Sequence, residues 1–453
     1  MCSDHQGNTR KLNNNEMKIA VIGAGPCGLA ASKALKEFGL GFECLEAGER
    51  VGGVWNVESG GNGYRSLRTN TSTGSMAFSD FPFEAGSPLH PSADEMAEYF
   101  RKYAEHFSII EHIKFNTRVK QVTPNADNSW QIEFGNGATE HYSNVIVATG
   151  RYAKPKLPDD QSLADFEGQV FHSSDYLDVQ SPVDFRGKRV VVVGLGSSAA
   201  EIASDLADKS LTPECATRVV LSVRSGRWVI PKIIDGKPAD AAAPHPSDQL
   251  PMFARMMPNS VGVWLMRRVL GKIFRHHFEL QQALLINKLP KPDIKPWADR
   301  PTLSSDFVPL LQSGDIEIRP SITKFRGSTV CFSDATEFAA DGIIYATGYT
   351  AEIPFISEQV LGCGDDELTL YQQIAHPEQA GLFFVGYSPV LCSMWPLAEQ
   401  QSRWIARLLS KAFTLPDERV RKRKAIRLKT ALPIICGFYV AKLRKEAKGL
   451  DRS

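Results

Sequence analysis

The sequence has few cysteines, no excess of charge of either sign and no long hydrophobic run. Its eight cysteines among 453 residues form no C-x-x-C pair, so neither a disulfide framework nor a zinc ribbon is indicated, and a reducing, intracellular compartment is expected. The 52 basic and 51 acidic residues leave a net charge of +1, which argues against a nucleic-acid-binding protein. Because there is no H-E-x-x-H and no cluster of cysteine and histidine, no metal site is predicted.

Neither end of the sequence resembles a membrane-targeting segment. Residues 1–16 are polar, with three consecutive asparagines, and lack the apolar core of a secretory signal, so we interpret them as a flexible leader. The late apolar run 431–441 has 11 residues and contains Pro433 and Gly437, whereas a bilayer span takes about 20. We therefore predict a cytoplasmic protein without a transmembrane segment, and peripheral attachment to a membrane stays open.

A strand, a glycine turn, a helix and a second strand follow one another between residues 18 and 46. The turn reads G-A-G-P-C-G, and the second strand ends in a glutamate. In such a unit the first glycine permits a tight turn, the second lets the backbone approach a pyrophosphate, and the third lets the helix pack on the strand. The helix N-terminus attracts the phosphates, and the acid accepts hydrogen bonds from a ribose. The residues of this first predicted dinucleotide site are Gly23, Gly25, Pro26, Gly28 and Glu46.

The same order of elements returns in mid-chain, with one difference in charge. An apolar strand at residues 189–193 leads into G-L-G-S-S-A and a helix, and the next strand ends at residue 223. Arg-Ser stands where the acid is expected. A guanidinium forms paired hydrogen bonds with a 2′-phosphate that a carboxylate would repel, so this site is predicted to prefer NADP(H). Its predicted residues are Gly194, Gly196, Ser197, Ser198, Arg224 and Ser225.

Two such openings predict an α/β fold with two Rossmann-like dinucleotide-binding domains, one for FAD and one for NADPH. The stretches 145–150 and 343–348 both end in Ala-Thr-Gly, and we place them where the chain leaves and re-enters the first domain. The NADPH domain is therefore predicted to be inserted into the FAD domain. The predicted boundaries are 17–164 and 325–453 for the FAD-binding domain, the latter with a basic C-terminal segment, and 165–324 for the NADPH-binding domain, with a helical insertion at about 231–300.

Two basic segments could contact a membrane surface. In residues 251–277, one helical face carries apolar residues and another carries basic ones. This segment is interpreted either as a helix packed on its own domain or as a substrate lid or membrane-surface helix. Residues 419–448 begin with seven lysines and arginines in eleven residues and form either a solvated face or a lipid contact. In residues 251–277, the apolar face comprises Leu265, Val269, Leu270, Ile273 and Phe274, and the basic face comprises Arg268, Lys272 and Arg275.

A homodimer also stays open.

Six blocks of the sequence carry motifs of one protein family. Residues 166–176 read F-E-G-Q-V-F-H-S-S-D-Y and match the pattern F-x-G-x-x-x-H-x-x-x-[YF]. Tyr176 stands where the related type I Baeyer–Villiger enzymes have tryptophan. Together with the two glycine turns, these blocks run in order from residue 18 to about 404, and the chain resembles the flavin-containing monooxygenases. The other blocks are residues 52–55, 64–72, 78–83, 346–349 and 396–404.

The resemblance implies two cofactors, FAD and NADPH, and a reaction. NADPH would reduce FAD, O₂ would add to give a C4a-hydroperoxyflavin, and the oxygen would pass to a nucleophilic nitrogen or sulfur of a small molecule. Asn70 matches the family's active-site asparagine and is predicted to be catalytic, since an amide can donate and accept without titrating. The matching blocks imply further cofactor contacts by Gly53, Trp55, Thr69, Asn70, Thr71, Thr347, Gly348 and Gln401.

Several of these residues have a structural interpretation as well. Asn70 could cap a turn, Trp55 could fill the core, and Arg224 could be a surface arginine. His172 could anchor the hinge between the domains, contact NADP or serve the core. The helix expected to begin at Pro396 could direct its N-terminal dipole at the flavin.

Other functions stay open at this point. The same flavin intermediate could perform Baeyer–Villiger oxidation of a ketone or oxidative decarboxylation of an arylpyruvate-type acid. A flavin disulfide reductase needs a redox cysteine pair, and Cys27 and Cys44 are 17 residues apart, which does not fit one. A non-catalytic nucleotide-binding redox sensor is the alternative outside the enzymes.

Overall fold

The structure is a computed structural model that describes residues 17–209, 215–241, 245, 259–284, 289–293, 295, 298, 300–362 and 368–448. The predicted leader, residues 1–16, lies outside the described residues. Part of the predicted insertion, including residues 251–258, lies outside them too.

The first domain is built on a five-stranded parallel sheet whose central strand precedes the first glycine turn. All four residues of that strand are buried, as expected for a parallel sheet covered on both faces. Its register pairs Ile19 with Phe42 on one side and with Asn144 on the other. In spatial order the strands are Leu382–Phe384, Asn144–Val147, Ile19–Ile22, Phe42–Leu45 and Ile113–Lys114.

The second domain repeats this arrangement with its own five-stranded parallel sheet. The strand before the second glycine turn is again central, and its bounds are those predicted from the sequence. Because both glycine turns leave the carboxyl end of a central strand, each stands where doubly wound sheets bind dinucleotides. In spatial order the strands are Ile316–Arg319, Arg218–Ser222, Arg189–Val193, Gly342–Tyr345 and Gln169–His172.

Three helices begin two or three residues before the positions predicted from periodicity. The helices after the two glycine turns begin at Pro26 and Ser197, and the late helix begins at Met394, so Pro396 lies within its first turn. The described α-helices are Pro26–Glu37, Thr73–Met76, Ala93–His106, Ser197–Ala207, Asn259–Leu284, Phe307–Ser313, Glu358–Leu361, Met394–Leu409, Glu418–Lys424 and Cys436–Lys448.

Smaller sheets flank the two large ones. A three-stranded antiparallel sheet packs on the first domain and another packs on the second, because each shares an apolar core with that domain's central strands. The first comprises Val119–Pro124, Trp130–Phe134 and Thr139–Tyr142, and the second comprises Ile322–Arg326, Thr329–Phe332 and Glu337–Ala339. Short strand pairs join Val229–Ile230 to Thr302–Leu303, Ile233–Ile234 to Lys237–Pro238, and Thr369–Leu370 to Ile426–Arg427.

The chain crosses between the domains at one antiparallel strand pair. Lys154–Pro155 carries it out of the first domain, and Tyr349–Thr350 brings it back. The predicted return at residue 325 is therefore wrong, because Gly342–Tyr345 pairs with the central strand of the second sheet. The outward crossing also precedes the predicted boundary at 165, and Leu163 already packs on the second domain's core.

Cys392 and Cys436 are joined by a disulfide that the sequence did not predict. The two residues are 44 positions apart, so no local spacing motif predicts that they pair. The bond ties the approach to the Met394–Leu409 helix to the first residue of the Cys436–Lys448 helix. Of the other described cysteines, Cys27, Cys44, Cys215 and Cys331 are free, whereas Cys2 and Cys363 lie outside the described residues.

Candidate functional site

Close backbone contacts hold the first glycine turn and leave no room for a side chain at Gly23 or at Gly28. Gly23 has a φ of +100°, and a Cβ there would lie 3.0 Å from the Ala148 carbonyl oxygen. A Cβ on Gly28 would lie 1.8 Å from the Gly23 oxygen. Gly25 caps the helix that begins at Pro26 and faces the backbone of Gly53. No described side chain caps that helix N-terminus, so its N–H groups remain for an anion.

Glu46 closes the turn from the end of the neighbouring strand. Its Oε2 accepts the Ala24 N–H at 2.6 Å, and its Oε1 accepts the Gly48 N–H at 2.8 Å. Each carboxylate oxygen has a second lone pair, so the acid can still accept a ribose hydroxyl. The predicted acid therefore lies against the glycine turn and is fixed in place by two backbone donors.

The second glycine turn has the same construction. Gly194 has a φ of +134°, and a Cβ there would lie 2.7 Å from the Ala346 carbonyl oxygen. Gly196 is the N-cap of the helix that begins with Ser197 and Ser198, and no described side chain caps it. The two Ala-Thr-Gly stretches thus have one shared role, because each places an alanine carbonyl against the first glycine of a dinucleotide turn.

Arg224 and Ser225 lie just past the strand that adjoins the second turn. Both side chains are exposed, and within the described part of the chain Arg224 enters no ion pair. Its guanidinium is therefore available to a phosphate. Sequence reasoning missed Arg227, whose Nη1 lies 3.6 Å from the Cβ position of Gly196. No periodic or spacing signal marks Arg227, since the β-strand has ended before it.

Residues 69–77 form the Asn70 segment. Backbone hydrogen bonds hold this segment in place, and two of its side-chain oxygens have no hydrogen-bond partner among the described atoms. Thr69 N–H donates to the Pro91 oxygen at 3.0 Å, and Thr69 is only 2% exposed. Asn70 Oδ1 and Thr69 Oγ1 are buried and find no hydrogen-bond partner among the described atoms. The N-cap of the following helix is Ser72, and Asn70 Oδ1 accepts no backbone N–H among the described residues, as a turn cap would. Thr71 Oγ1 donates weakly to the Met76 sulfur at 3.8 Å.

Buried oxygens without partners are costly unless a ligand supplies donors. The two glycine cradles, the free helix N-termini and these oxygens together fit two dinucleotides and a flavin ring. Trp55 is partly buried and packs edge-on against Trp395, with ring centroids 5.7 Å apart. It therefore belongs to an aromatic wall of the first domain.

The side chains of Thr347 and Gln401 and the carbonyl of Gly348, three predicted cofactor contacts, form hydrogen bonds within the protein. Thr347 Oγ1 donates to the Lys156 oxygen, and the Gly348 oxygen accepts His172 Nε2–H at 3.0 Å, beside the crossing strands. Gln401 is fully buried and bonds Gly386 N–H through Oε1 and the Ser388 and Tyr439 hydroxyls through Nε2. Cofactor contacts at these three positions stay predictions.

His172 is the link between the crossing strands and the second sheet. Its Nδ1 accepts the Ser174 N–H at 3.1 Å while Nε2–H donates to Gly348, which fits one neutral tautomer. Burial lowers the pKa of His172 and favours that neutral form. Of the interpretations left open by the sequence, the geometry matches the hinge anchor.

A buried polar bridge of Tyr64, Glu201 and Lys232 joins the two domains and was not predicted from the sequence. Tyr64 comes from the first domain but packs in the core of the second, where its hydroxyl donates to Glu201. Lys232 Nζ lies 2.8 Å from the other Glu201 oxygen, and its side chain is only 10% exposed. Arg65 adds an ion pair to Asp178 beside it. The orientation of the two domains is therefore fixed next to the Asn70 segment.

The free cysteines do not form a redox pair. Burial raises the pKa of Cys27 and of Cys44 to about 12, so both stay thiols at neutral pH. Neither forms a disulfide. The Cys27–Cys44 pair therefore does not provide the chemistry of a disulfide reductase.

The long helix Asn259–Leu284 displays both faces expected of it. Leu265, Val269 and Ile273 are 42–46% exposed, and Arg268, Lys272 and Arg275 are exposed as well. The helix also approaches the first domain so closely that a Cβ on Gly262 would lie 2.2 Å from the Phe438 ring. The apolar residues of Cys436–Lys448 are buried, so that part of the basic C-terminal segment packs in the core. Membrane contact and a homodimer stay predictions.

None of the helices in the described ranges is both long and apolar enough to cross a membrane.

Two Rossmann-like domains that face each other across an asparagine-bearing segment define the class of two-dinucleotide flavoproteins. The chain matches the family described as flavin-binding monooxygenase-like over residues 16–437, and it belongs to that family. It is 33% identical over 419 residues to dimethylaniline monooxygenase [N-oxide-forming] 2 of Rattus norvegicus, covering 88% of this chain and 75% of the relative. It is 32% identical over 421 residues to flavin-containing monooxygenase 1 of Homo sapiens, covering 89% and 75%.

Solved structures share the fold at low sequence identity. Steroid monooxygenase bound to NADP has a TM-score of 0.71 at 19% identity, covering 96% of this chain and 98% of that one. The S-allyl-L-cysteine S-oxygenase of Allium sativum has a TM-score of 0.65 at 20% identity, covering 95% and 88%. The family and the fold identify the chain as a flavin-dependent monooxygenase.

Proposed function

We propose that this monooxygenase uses FAD in the first domain and NADPH in the second to oxygenate a nucleophilic nitrogen or sulfur of a small molecule. Bound FAD, once reduced by NADPH, supplies the activation of dioxygen. The flavin adduct expected from the sequence stays a prediction. The residues of this chain bind the cofactors, orient them and exclude water.

The first site supports FAD through Gly23, Gly25, Gly28 and Glu46. The free N-terminus of the Pro26–Glu37 helix suits a pyrophosphate, and the fixed carboxylate suits a ribose. The second site supports NADPH in the same way at Gly194 and Gly196, with Ser197 and Ser198 at the helix start. There Arg224 and Ser225 replace the acid, which suits a 2′-phosphate.

The observation that carries the proposal is the unused, buried Oδ1 of Asn70 beside the interface of the two domains. An amide held in this position can accept a hydrogen bond with Oδ1 and donate one with Nδ2 while oxygen is transferred. The neighbouring Thr69 Oγ1 is a second unused group. The substrate class is supported by the relatives, which include an N-oxide-forming monooxygenase, and by a structural neighbour that is an S-oxygenase.

The test is to measure product formed and NADPH consumed with dimethylaniline and with a thioether. Because one well-placed hydrogen-bonding group is worth about 100-fold in rate, Asn70→Ala should lower product formation by about that factor and leave the flavin bound. Asn136→Ala, at an exposed turn between two strands of the first domain, is the matched control and should give the same product yield as the unsubstituted protein. Unchanged product yield in Asn70→Ala would remove Asn70 from the site, and ester formation from a ketone would identify a Baeyer–Villiger enzyme.

A further inference from the structure

The second domain reaches over to the Asn70 segment through the insertion that follows its third strand. Asp240 Oδ2 accepts the Ser72 N–H at 2.8 Å, and the Asp240 backbone oxygen accepts the Ser75 hydroxyl at 3.5 Å. Five residues on, His245 Nε2 lies 2.8 Å from the Ala77 oxygen. Both ends of the short helix after Asn70 are thus held by the domain assigned to NADPH.

The first domain holds the other side of the same segment. His90 Nδ1 lies 3.1 Å from the Thr69 oxygen, and Thr73 N–H donates to the Leu89 oxygen at 3.0 Å. The Asn70 segment therefore lies between residues 89–91 of its own domain and the residues Asp240 and His245 of the other. Moving either support would move the backbone that carries the Asn70 amide.

Burying the Asp240 carboxylate costs more desolvation free energy than a purely structural contact requires. Its Oδ1 is buried and has no hydrogen-bond partner in the part of the chain that the structure describes. Lys232, the nearby buried cation, is paired with Glu201. A short neutral side chain could accept the Ser72 N–H at a lower desolvation cost than a carboxylate of which one oxygen has no hydrogen-bond partner. The charge-assisted bond to Ser72 N–H is the interaction that a carboxylate strengthens.

We propose that Asp240 is a positioning residue for oxygenation, which fixes the Asn70 amide through the Ser72 N–H. The NADPH-binding domain thereby completes the site in the FAD-binding domain. This inference rests on the proposed role of Asn70. Asp240 does not need to touch the substrate or the flavin to act in this way.

The test compares three variants of the full-length holoenzyme. Asp240→Ala removes the acceptor, whereas Asp240→Asn keeps an oxygen that can accept the Ser72 N–H. Asp235→Asn is the matched control, since Asp235 is exposed and has a φ of +49° that asparagine tolerates. The readouts are amide hydrogen exchange of peptides covering residues 69–77, product formed per NADPH oxidised, and the visible spectrum and content of bound flavin.

We expect Asp240→Ala to raise exchange in residues 69–77 and to lower product per NADPH about tenfold, the value of a charge-assisted bond. Flavin content should stay unchanged. Asp240→Asn should fall between Asp240→Ala and the unsubstituted protein, because its amide oxygen can accept the Ser72 N–H without the charge, and Asp235→Asn should match the unsubstituted protein. Full coupling in Asp240→Ala, or an Asp240→Asn variant as impaired as Asp240→Ala, would overturn the inference.

The Asn70→Ala variant separates the two claims. If Asn70→Ala loses product while Asp240→Ala does not, the inference fails and the proposed site stands. If Asn70→Ala keeps its product yield, the proposed role of Asn70 fails, whatever Asp240 does. Loss of flavin from Asp240→Ala but not from Asp240→Asn would make Asp240 a folding residue and would also overturn the inference.

Discussion

The two glycine turns share a backbone and differ in one charge. In each, the first glycine has a positive φ and lies against the carbonyl of an alanine in an Ala-Thr-Gly stretch. In each, an uncapped helix N-terminus follows. The neighbouring strand, however, is followed by Glu46 in the first domain and by exposed Arg224 and Ser225 in the second.

We propose that the shared backbone binds and that the differing residue selects the dinucleotide. The backbone would supply pyrophosphate affinity, because N–H groups and a helix dipole recognise the phosphates of any dinucleotide. The residue after the neighbouring strand would select between them, because a carboxylate suits a ribose diol and a guanidinium suits a 2′-phosphate. Substitutions at the two turns should therefore have separate consequences.

The largest expected effect comes from Gly25→Ala. A Cβ on Gly25 meets nothing closer than 3.7 Å, so the folded chain tolerates it, but the methyl group occupies the approach of the pyrophosphate. Loss of two charge-assisted bonds at about 2 kcal/mol each weakens FAD binding about 1000-fold. Titration of apoprotein with FAD measures this.

Gly196→Ala is the matched substitution at the second turn. Its Cβ would lie 3.6 Å from Arg227 Nη1, so it too fits the folded chain. This variant should remain yellow and show a raised KM for NADPH in steady-state assays. If it lost FAD as Gly25→Ala does, the assignment of one cofactor to each turn would be contradicted.

The next effect concerns the bridge that keeps the two turns facing each other. Glu201→Gln leaves Lys232 buried without its carboxylate, which should lower the free energy of unfolding by about 3 kcal/mol. Asp315→Asn breaks a pair whose lysine is 71% exposed, and such pairs contribute less than about 1 kcal/mol. Urea unfolding measures both, and equal losses would show that the inter-domain bridge has no special role.

The smallest expected effect concerns only the preference for NADPH over NADH. Arg224→Ala should raise the KM for NADPH about tenfold by removing the bonds to the 2′-phosphate, while the KM for NADH hardly changes. Arg224→Lys keeps the charge without the paired donors and should fall between. Equal increases for both coenzymes would show that Arg224 does not contact the phosphate.

Local patterns in the sequence were sufficient for the elements that carry the cofactors. The strand Arg189–Val193 has the predicted bounds, and both glycine turns lie where predicted, because apolar runs and glycine spacing are local signals. The family was predicted correctly from blocks that keep their order along the chain.

Long-range contacts were not predictable in the same way. The local sequence of the antiparallel sheet at residues 322–339 does not indicate which domain the sheet packs on. The predicted re-entry of the chain into the first domain was therefore placed too early. The burial of Tyr64 in the other domain, the contact of Asp240 with Ser72, and the Cys392–Cys436 bond each join distant positions. Sequence periodicity reports a face that is buried but not the partner that buries it.

The most direct measurement is an anaerobic titration of the purified, yellow protein with NADPH, followed by admission of oxygen and an oxidisable amine. We expect one NADPH to bleach each bound flavin, NADH to do so far less well, and one oxygenated product to form per NADPH. A protein that binds no flavin on reconstitution, or whose flavin NADPH leaves oxidised, would contradict it.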